Sequence, residues 1–134
     1  LEQLSDPRDM LMKLGSMLSA TGRMIVEVPS ADDALITLYD CGAFQDFTYW
    51  SAHLFLFTAS TLSALIKQAG LRVLSIQHYQ RYPIANHLHW LSNGKPGGHQ
   101  CWSFLNTSNL NHAYSETLAS IGKTDTLIAH VELC

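Results

Sequence analysis

Hydrophobic positions recur at helical spacing in the first part of the chain and then change to a strand pattern. The Asp-Pro pair at 6–7 is typical of a helix N-cap and first helical position, and apolar residues follow with helical periodicity as far as Leu18. Gly22 suits the left-handed residue that ends a helix. The β-branched run at 24–28, closed by a proline, predicts a strand with apolar residues on both faces and therefore a central place in a sheet.

Two further helices are predicted before the second strand. Ser30 and Asp33 have the spacing of a capping box and predict a short helix. The segment 41–57 is aromatic and irregular, which favours a loop. Thr58 is a typical N-cap for a clearly amphipathic helix that ends at Gly70.

The remaining pattern predicts two strands and one helix. A strand is expected over 71–79, and the final strand over 126–131. The long segment 80–106 contains several glycines and prolines and one helical turn near 85–91, and it precedes a helix over 110–121.

The alternation of helices and strands predicts an α/β fold in one domain, residues 1–134. Three strands alone make a short sheet with an exposed edge, and an exposed edge tends to pair with another chain. We therefore expect either that the sheet is part of a larger one or that its edge forms a homo-oligomer.

Composition narrows the classes of partner. The chain is 47% hydrophobic and 14% charged, with a net charge of −3 and no basic stripe, so it can bury a core and is not expected to bind nucleic acid. No apolar run reaches the ~18 residues of a membrane span, so no membrane partner is expected. The three cysteines are too widely spaced for a disulfide framework or a zinc site. They predict reduced, mostly buried thiols in a cytoplasmic protein without a metal.

Several segments resemble class I S-adenosylmethionine-dependent methyltransferases in their order and spacing. The opening LEQLSDP at 1–7 is similar to the family's L-E-H-(hydrophobic)-x-D-P stretch after its fourth strand, and EVP at 27–29 to the end of its next strand. His53 then stands in an aromatic loop, followed by FTASTL at 57–62 and AGLRV at 69–73.

Later segments are similar to a subgroup of this family linked to the methylation of bacterial surface polysaccharides or related small molecules. They are QRYPIANHLHWL at 80–91, GKPGGH at 94–99 and SIGKTDTL at 120–127. The resemblance implies a partial Rossmann-like sheet, comprising strands five to seven with the last strand antiparallel. It also implies S-adenosylmethionine as cofactor, bound mainly by a glycine-rich turn and an acidic residue that would precede Leu1.

The resemblance places Glu2 and Gln3 at the carboxyl end of a fourth strand, where ligands lie in open α/β sheets. They are candidates for catalysis and for edge contacts with the cofactor, although they could equally do no more than begin a helix. Gln3 stands where the family often has His. Ser30 lies just past a strand end and is either a residue of the pocket rim or a plain N-cap.

His53 is a candidate general base, because an imidazole titrates near neutral pH. Its aromatic neighbours Tyr49, Trp50 and Phe55 could stack on a sugar or ring substrate. The alternative is that the aromatic residues are lid or core packing and that His53 is a scaffold residue.

The long segment 80–106 supplies further candidates for binding an anionic or polar acceptor such as a nucleotide-sugar phosphate, because irregular connections of this length are usually functional. These candidates are Arg81, Asn86, His87, Lys95 and His99. The alternative is a loop in which glycines and prolines only shape turns.

The function expected from these features is methyl transfer to a small polar acceptor such as a sugar or nucleotide-sugar. The chain would be the acceptor-side, C-terminal part of the enzyme and inactive by itself. One alternative is a non-catalytic, methyltransferase-like module for self-association or partner binding. Another is a carbohydrate-binding module, which would use Tyr49, Trp50, Trp90 and Trp102.

Overall fold

The last strand of the chain is the central strand of the sheet. In the computed structural model, which describes residues 1–50 and 52–134 apart from the side chain of Trp50, β1 (Arg23–Pro29), β2 (Leu71–Tyr79) and β3 (Thr126–Leu133) lie in the order β1-β3-β2. β3 is antiparallel to both neighbours. The chain is therefore an α/β protein with an open, antiparallel three-stranded sheet and flanking helices.

The helices have the following bounds: α1 Pro7–Ser16, α2 Ala34–Thr37, α3 Gly42–Trp50, α4 Ala59–Gln68, α5 Ile84–Asn93, α6 Gly98–Cys101 and α7 Ser108–Ser120, with a 3₁₀ turn at Ser103–Leu105. Two predicted caps are confirmed. The Asp6 side chain accepts a hydrogen bond from the amide of Asp9, and Thr58 forms a reciprocal capping box with Thr61.

Three local predictions were wrong. Asp33, and not Ser30, is the N-cap of α2, because Ser30 continues the extended chain and bridges to Phe57. The aromatic segment expected to be a loop contains α3. α1 ends at Ser16, well before Gly22.

The prediction that β1 is the central strand was also wrong for this sheet. Val26 and Val28 are buried, but Ile25 on the opposite face is 64% exposed. β1 lies at one edge of the sheet, and β3 occupies the centre.

The main core lies between α1, α4 and the sheet. Leu11 of α1, Leu62 and Ile66 of α4, and Leu127 and Val131 of β3 are all almost completely buried in it. Burial of this apolar surface stabilises the packing of both helices on the sheet.

A second, smaller cluster joins α2, α3 and α5. It contains Leu35, Cys41 and Trp90, with Phe44 packed against it, and the rings of Phe44 and Trp90 meet edge to face at 5.3 Å. Cys41 is buried, but Cys101 and Cys134 are exposed, so the prediction of mostly buried thiols was wrong for these two.

Across residues 1–50 and 52–134, none of the helices combines the length and the apolar character needed to cross a membrane.

Gly98 allows α6 to pack closely against α5, since a Cβ at this position would overlap the backbone carbonyl of Ala85. We expect Gly98→Ala to lower the free energy of unfolding by about 2 kcal/mol or more, measured by urea denaturation. Gly42→Ala is the matched control, because a Cβ at Gly42 meets no atom within 4 Å and alanine favours the helix by up to about 1 kcal/mol. Equal stability changes in the two variants would contradict this account of the packing.

Candidate functional site

A cavity of about 420 Å³ lies at the end of the sheet where β1 and β2 finish and β3 begins. Its wall includes predicted site residues from widely separated segments: Glu2, Ser30, His53, Arg81, Asn86, His87 and His99. The fold therefore brings together residues that are far apart in the sequence. Concave sites of this size are typical of small-molecule binding.

Asp125 joins the strand ends beneath the cavity. Its carbonyl accepts a hydrogen bond of 2.8 Å from the amide of Ser30. Its carboxylate accepts bonds of 2.9 and 3.0 Å from the amides of Arg81 and Tyr82, and one of 2.8 Å from the hydroxyl of Thr126. The ends of β1 and β2 are thus held to the start of β3 by one residue.

Glu2 and His53 are brought together at one side of the cavity. The carbonyl of Glu2 accepts hydrogen bonds from the amides of Leu54 (2.8 Å) and Phe55 (3.1 Å), which fastens the loop that carries His53. Burial opposes the ionisation of Glu2, whereas its own backbone amide and the charge of the nearby His53 lower the pKa of this carboxyl. His53 Nδ1 is buried and has no hydrogen-bond partner among the described residues.

Gln80 has one defined orientation. Its Oε1 accepts the amide of Asp125 at 3.0 Å, so its Nε2 is the donor, and it lies 2.9 Å from the carbonyl of Tyr82 and 3.1 Å from Nε2 of His87. His87 Nε2 must therefore be the unprotonated, accepting nitrogen of the imidazole.

His87 is a neutral histidine within a buried polar network. Burial lowers its pKa to about 4. Because Nε2 accepts a hydrogen bond from Gln80, Nδ1 carries the proton and donates a hydrogen bond of 2.7 Å to the hydroxyl of Tyr114. The Tyr114 hydroxyl lies 2.9 Å from the hydroxyl of Tyr39. His87 lines the cavity, but both of its ring nitrogens already have partners inside the protein.

Asp33 is a buried carboxyl in the cavity wall. It is 4% exposed, and its Oδ1 accepts the amide of Leu35 at 2.8 Å as the N-cap of α2. Burial raises the pKa of Asp33 to about 7, with a further contribution from Asp125 and an opposing one from the Leu35 amide. Burial also raises the pKa of Asp125 despite its hydrogen bonds. A carboxyl that titrates near neutrality is suited to accepting or donating a proton.

Arg81 lines the cavity beside Glu27, with which it forms an ion pair between the ends of β2 and β1. Both side chains are about half exposed, at 53% and 43%. The Arg81 guanidinium, which the sequence predicted to bind an anionic or polar acceptor, is thus already paired with Glu27.

The remaining predicted residues lie elsewhere. Within the described ranges, the wall of the cavity does not include Gln3, Tyr49, Phe55 or Lys95, and each of these is exposed. The side chain of Trp50 lies outside the described residues. The binding roles assigned to these residues remain predictions.

The aromatic residues of the carbohydrate-binding alternative are separated in the fold. Trp90 is 4% exposed and packs in the smaller core cluster, whereas Trp102 stacks edge to face with His89 at 5.5 Å. A buried Trp90 offers little ring face to a sugar.

Sequence reasoning missed Glu27, Asp33, Tyr82 and Asp125 as cavity residues. A signal was present, because Glu27 lies near the end of β1, and Asp33 and Tyr82 follow β1 and β2 within four residues. Asp125 immediately precedes β3, and the expected antiparallel direction of the last strand places this residue at the same edge as the last residues of β1 and β2.

Metal ligation and similarity to other proteins add no further assignment. In the part of the chain that the structure describes, no group of three or more His, Cys, Asp or Glu side chains is placed to hold a metal ion. Comparison of the chain with protein-family models and with curated proteins gave no match.

The raised pKa of Asp33 predicts a specific dependence of stability on pH. The folded protein retains this proton between about pH 4 and 7, whereas the unfolded chain loses it near the ordinary value of 3.8, so the contribution of Asp33 to stability falls as pH rises through this range. Asp33→Asn should gain stability relative to wild type across the range, by up to about 1.4 kcal/mol per pH unit. Urea denaturation at a series of pH values measures the difference.

Asn retains the side-chain oxygen that caps α2, so the variant isolates the titration of Asp33. Asp32→Asn is the matched control, since Asp32 is the neighbouring residue and lies outside the cavity wall. Parallel stability curves for wild type and Asp33→Asn would contradict the assignment.

Proposed function

We propose that the chain is the acceptor-side part of a class I S-adenosylmethionine-dependent methyltransferase that methylates a small polar acceptor such as a sugar. The cavity is the observation that carries this proposal. Its wall draws on four of the segments that resemble the family, through Glu2, Glu27, His53 and Arg81 with Asn86. Several segments that resemble one family line the same cavity. This favours a resemblance that reflects one functional site over a chance resemblance of unrelated segments.

The sheet supports the same reading. The resemblance implies a partial Rossmann-like sheet whose last strand is antiparallel, and β3 is antiparallel to both β1 and β2. The cavity lies beyond the carboxyl ends of β1 and β2, which is where ligands bind in open α/β sheets.

The described residues fit the cofactor only at its edge. The strand-to-helix turns at 30–33 and 80–83 contain no glycine, so neither offers the close backbone approach of a cofactor cradle. Glu2 lines the cavity and remains the candidate for an edge contact, whereas Gln3 lies outside the wall. When bound, S-adenosylmethionine supplies an electrophilic methyl group.

The residues of this chain would position the acceptor and exclude water. Phe44, Phe47 and Trp90 form an aromatic side of the cavity, with ring centroids of Phe47 and Trp90 at 5.3 Å. Alignment of two reactants in a closed site is a large part of the catalysis of a direct displacement. His53 is the candidate base for an acceptor that must lose a proton.

The test is methyl transfer by the full product of the gene. With radiolabelled S-adenosylmethionine and a panel of small hydroxylated and aminated acceptors, we expect label transfer to at least one acceptor. His53→Ala should lower kcat by about 10²-fold, the usual contribution of a general base, while the surface control His112→Ala, which lies outside the cavity wall, should leave it unchanged. The 134-residue chain alone is expected to be inactive, and tight cofactor binding by it would contradict the proposed division of the site.

A non-catalytic role in self-association is the alternative, and the exposed edge of β1 favours it. Ile25 on this strand is 64% exposed, and an unpaired edge is a template for another strand. This alternative predicts a dimer or larger species by light scattering, which Ile25→Lys reduces. A strictly monomeric, well-folded chain would count against it.

A further inference from the structure

Two buried side chains present unpaired polar atoms to the cavity. Asp33 is 4% exposed and Asn86 is 5% exposed, and both line the wall. Asp33 Oδ1 accepts the amide of Leu35, and Asn86 Oδ1 accepts the amide of Gly97 at 3.1 Å. Among the described residues, Asp33 Oδ2 and Asn86 Nδ2 have no hydrogen-bond partner. Neither atom is among the buried atoms that lack a partner, so both are reached from the cavity and are available to a ligand that has a donor and an acceptor.

The charges of the cavity favour a cation over an anion. Arg81 forms an ion pair with Glu27, and its charge also favours the ionised form of Asp125, whose carboxylate accepts three hydrogen bonds. In the described part of the cavity, Asp33 has no ion-pair partner. A phosphate would meet carboxyl groups with no unpaired permanent cation to receive it, whereas an ammonium group would relieve their repulsion.

The aromatic part of the cavity wall suits the same ligand. Phe44 and Phe47 bring aromatic rings to the wall, and ring faces attract cations while accommodating an apolar ring body. The cavity therefore combines an unpaired carboxylate oxygen, an unpaired amide donor and aromatic surface.

We infer that the acceptor is a small ring molecule with a basic nitrogen next to a hydroxyl group, such as an amino sugar. The nitrogen donates to Asp33 Oδ2, and the hydroxyl accepts from Asn86 Nδ2. This inference rests on the proposed function and narrows the acceptor of that site. It replaces the phosphate-bearing acceptor that the sequence predicted for Arg81, Asn86, Lys95 and His99.

The test measures the binding of three small probes to the isotope-labelled 134-residue chain at pH 8. NMR chemical-shift titration without cofactor gives the affinity of each probe. The probes are trans-2-aminocyclohexanol, trans-1,2-cyclohexanediol and inorganic phosphate. We expect the amine to bind about tenfold more tightly than the diol, and phosphate to show no saturable binding at the cavity. Equal or tighter binding of the diol or of phosphate would overturn the inference.

Two variants test whether the Asp33 carboxyl causes the preference for the amine probe over the diol. Asp33→Asn, which keeps the cap of α2, should reduce amine binding to the level of the diol, and Asp32→Asn should leave it unchanged. The other titratable and charged side chains of the cavity are the same in both variants: Glu2, Glu27, His53, Arg81, His87, His99 and Asp125. Persistence of the amine preference in Asp33→Asn would refute the role of Asp33.

The experiments distinguish a failure of this inference from a failure of the methyltransferase proposal. Methyl transfer by the full gene product to a hydroxyl-only acceptor, with no amine preference in binding, would leave the methyltransferase proposal standing and overturn this inference. Amine binding that depends on Asp33, in a protein that transfers no methyl group, would do the reverse.

Discussion

The position of Asp125 is the constraint on which the rest of the site depends. This one residue accepts hydrogen bonds from the chain just after β1 and just after β2 and immediately precedes the strand between them. The cost of burying its carboxylate is offset in part by three donors. Its amide also orients Gln80, which in turn sets the tautomer of His87. The position of the strand ends at the cavity and the tautomer of His87 follow from this junction, and Asp125 adds to the effect of burial in raising the pKa of Asp33.

Elements with local signals could be predicted from the sequence. The side chains of Asp6 and Thr58 cap the helices that follow them. The strand patterns of β2 and β3 are uninterrupted in the sequence. α3 could not be recognised in the same way, because its aromatic residues face several directions. Phe44 and Phe47 lie against Trp90 of α5, whereas Tyr49 is more than half exposed. Its apolar face is thus defined by a partner helix that is distant in the sequence.

The candidate site was predictable where residues follow strands and unpredictable where tertiary pairing decides. Glu2, His53 and Arg81 were identified from their places in motifs, and they meet in the cavity. Asp33 carried only the signal of an N-cap, since nothing local reveals that Asp125 will lie close enough to raise its pKa. Lys95 shows the opposite error, because a cation in a glycine-rich segment was assigned to the site and lies exposed outside it.

The central place of β3 also governs how the molecule can assemble. In the described sheet β1 and β2 pair with β3 and not with each other, so their hydrogen bonds to it cannot form until Thr126–Leu133 has been synthesised. β1 must therefore wait for a long intervening segment to leave the ribosome, and closing such long loops is slow. During that interval the apolar faces of both strands remain exposed to aggregation.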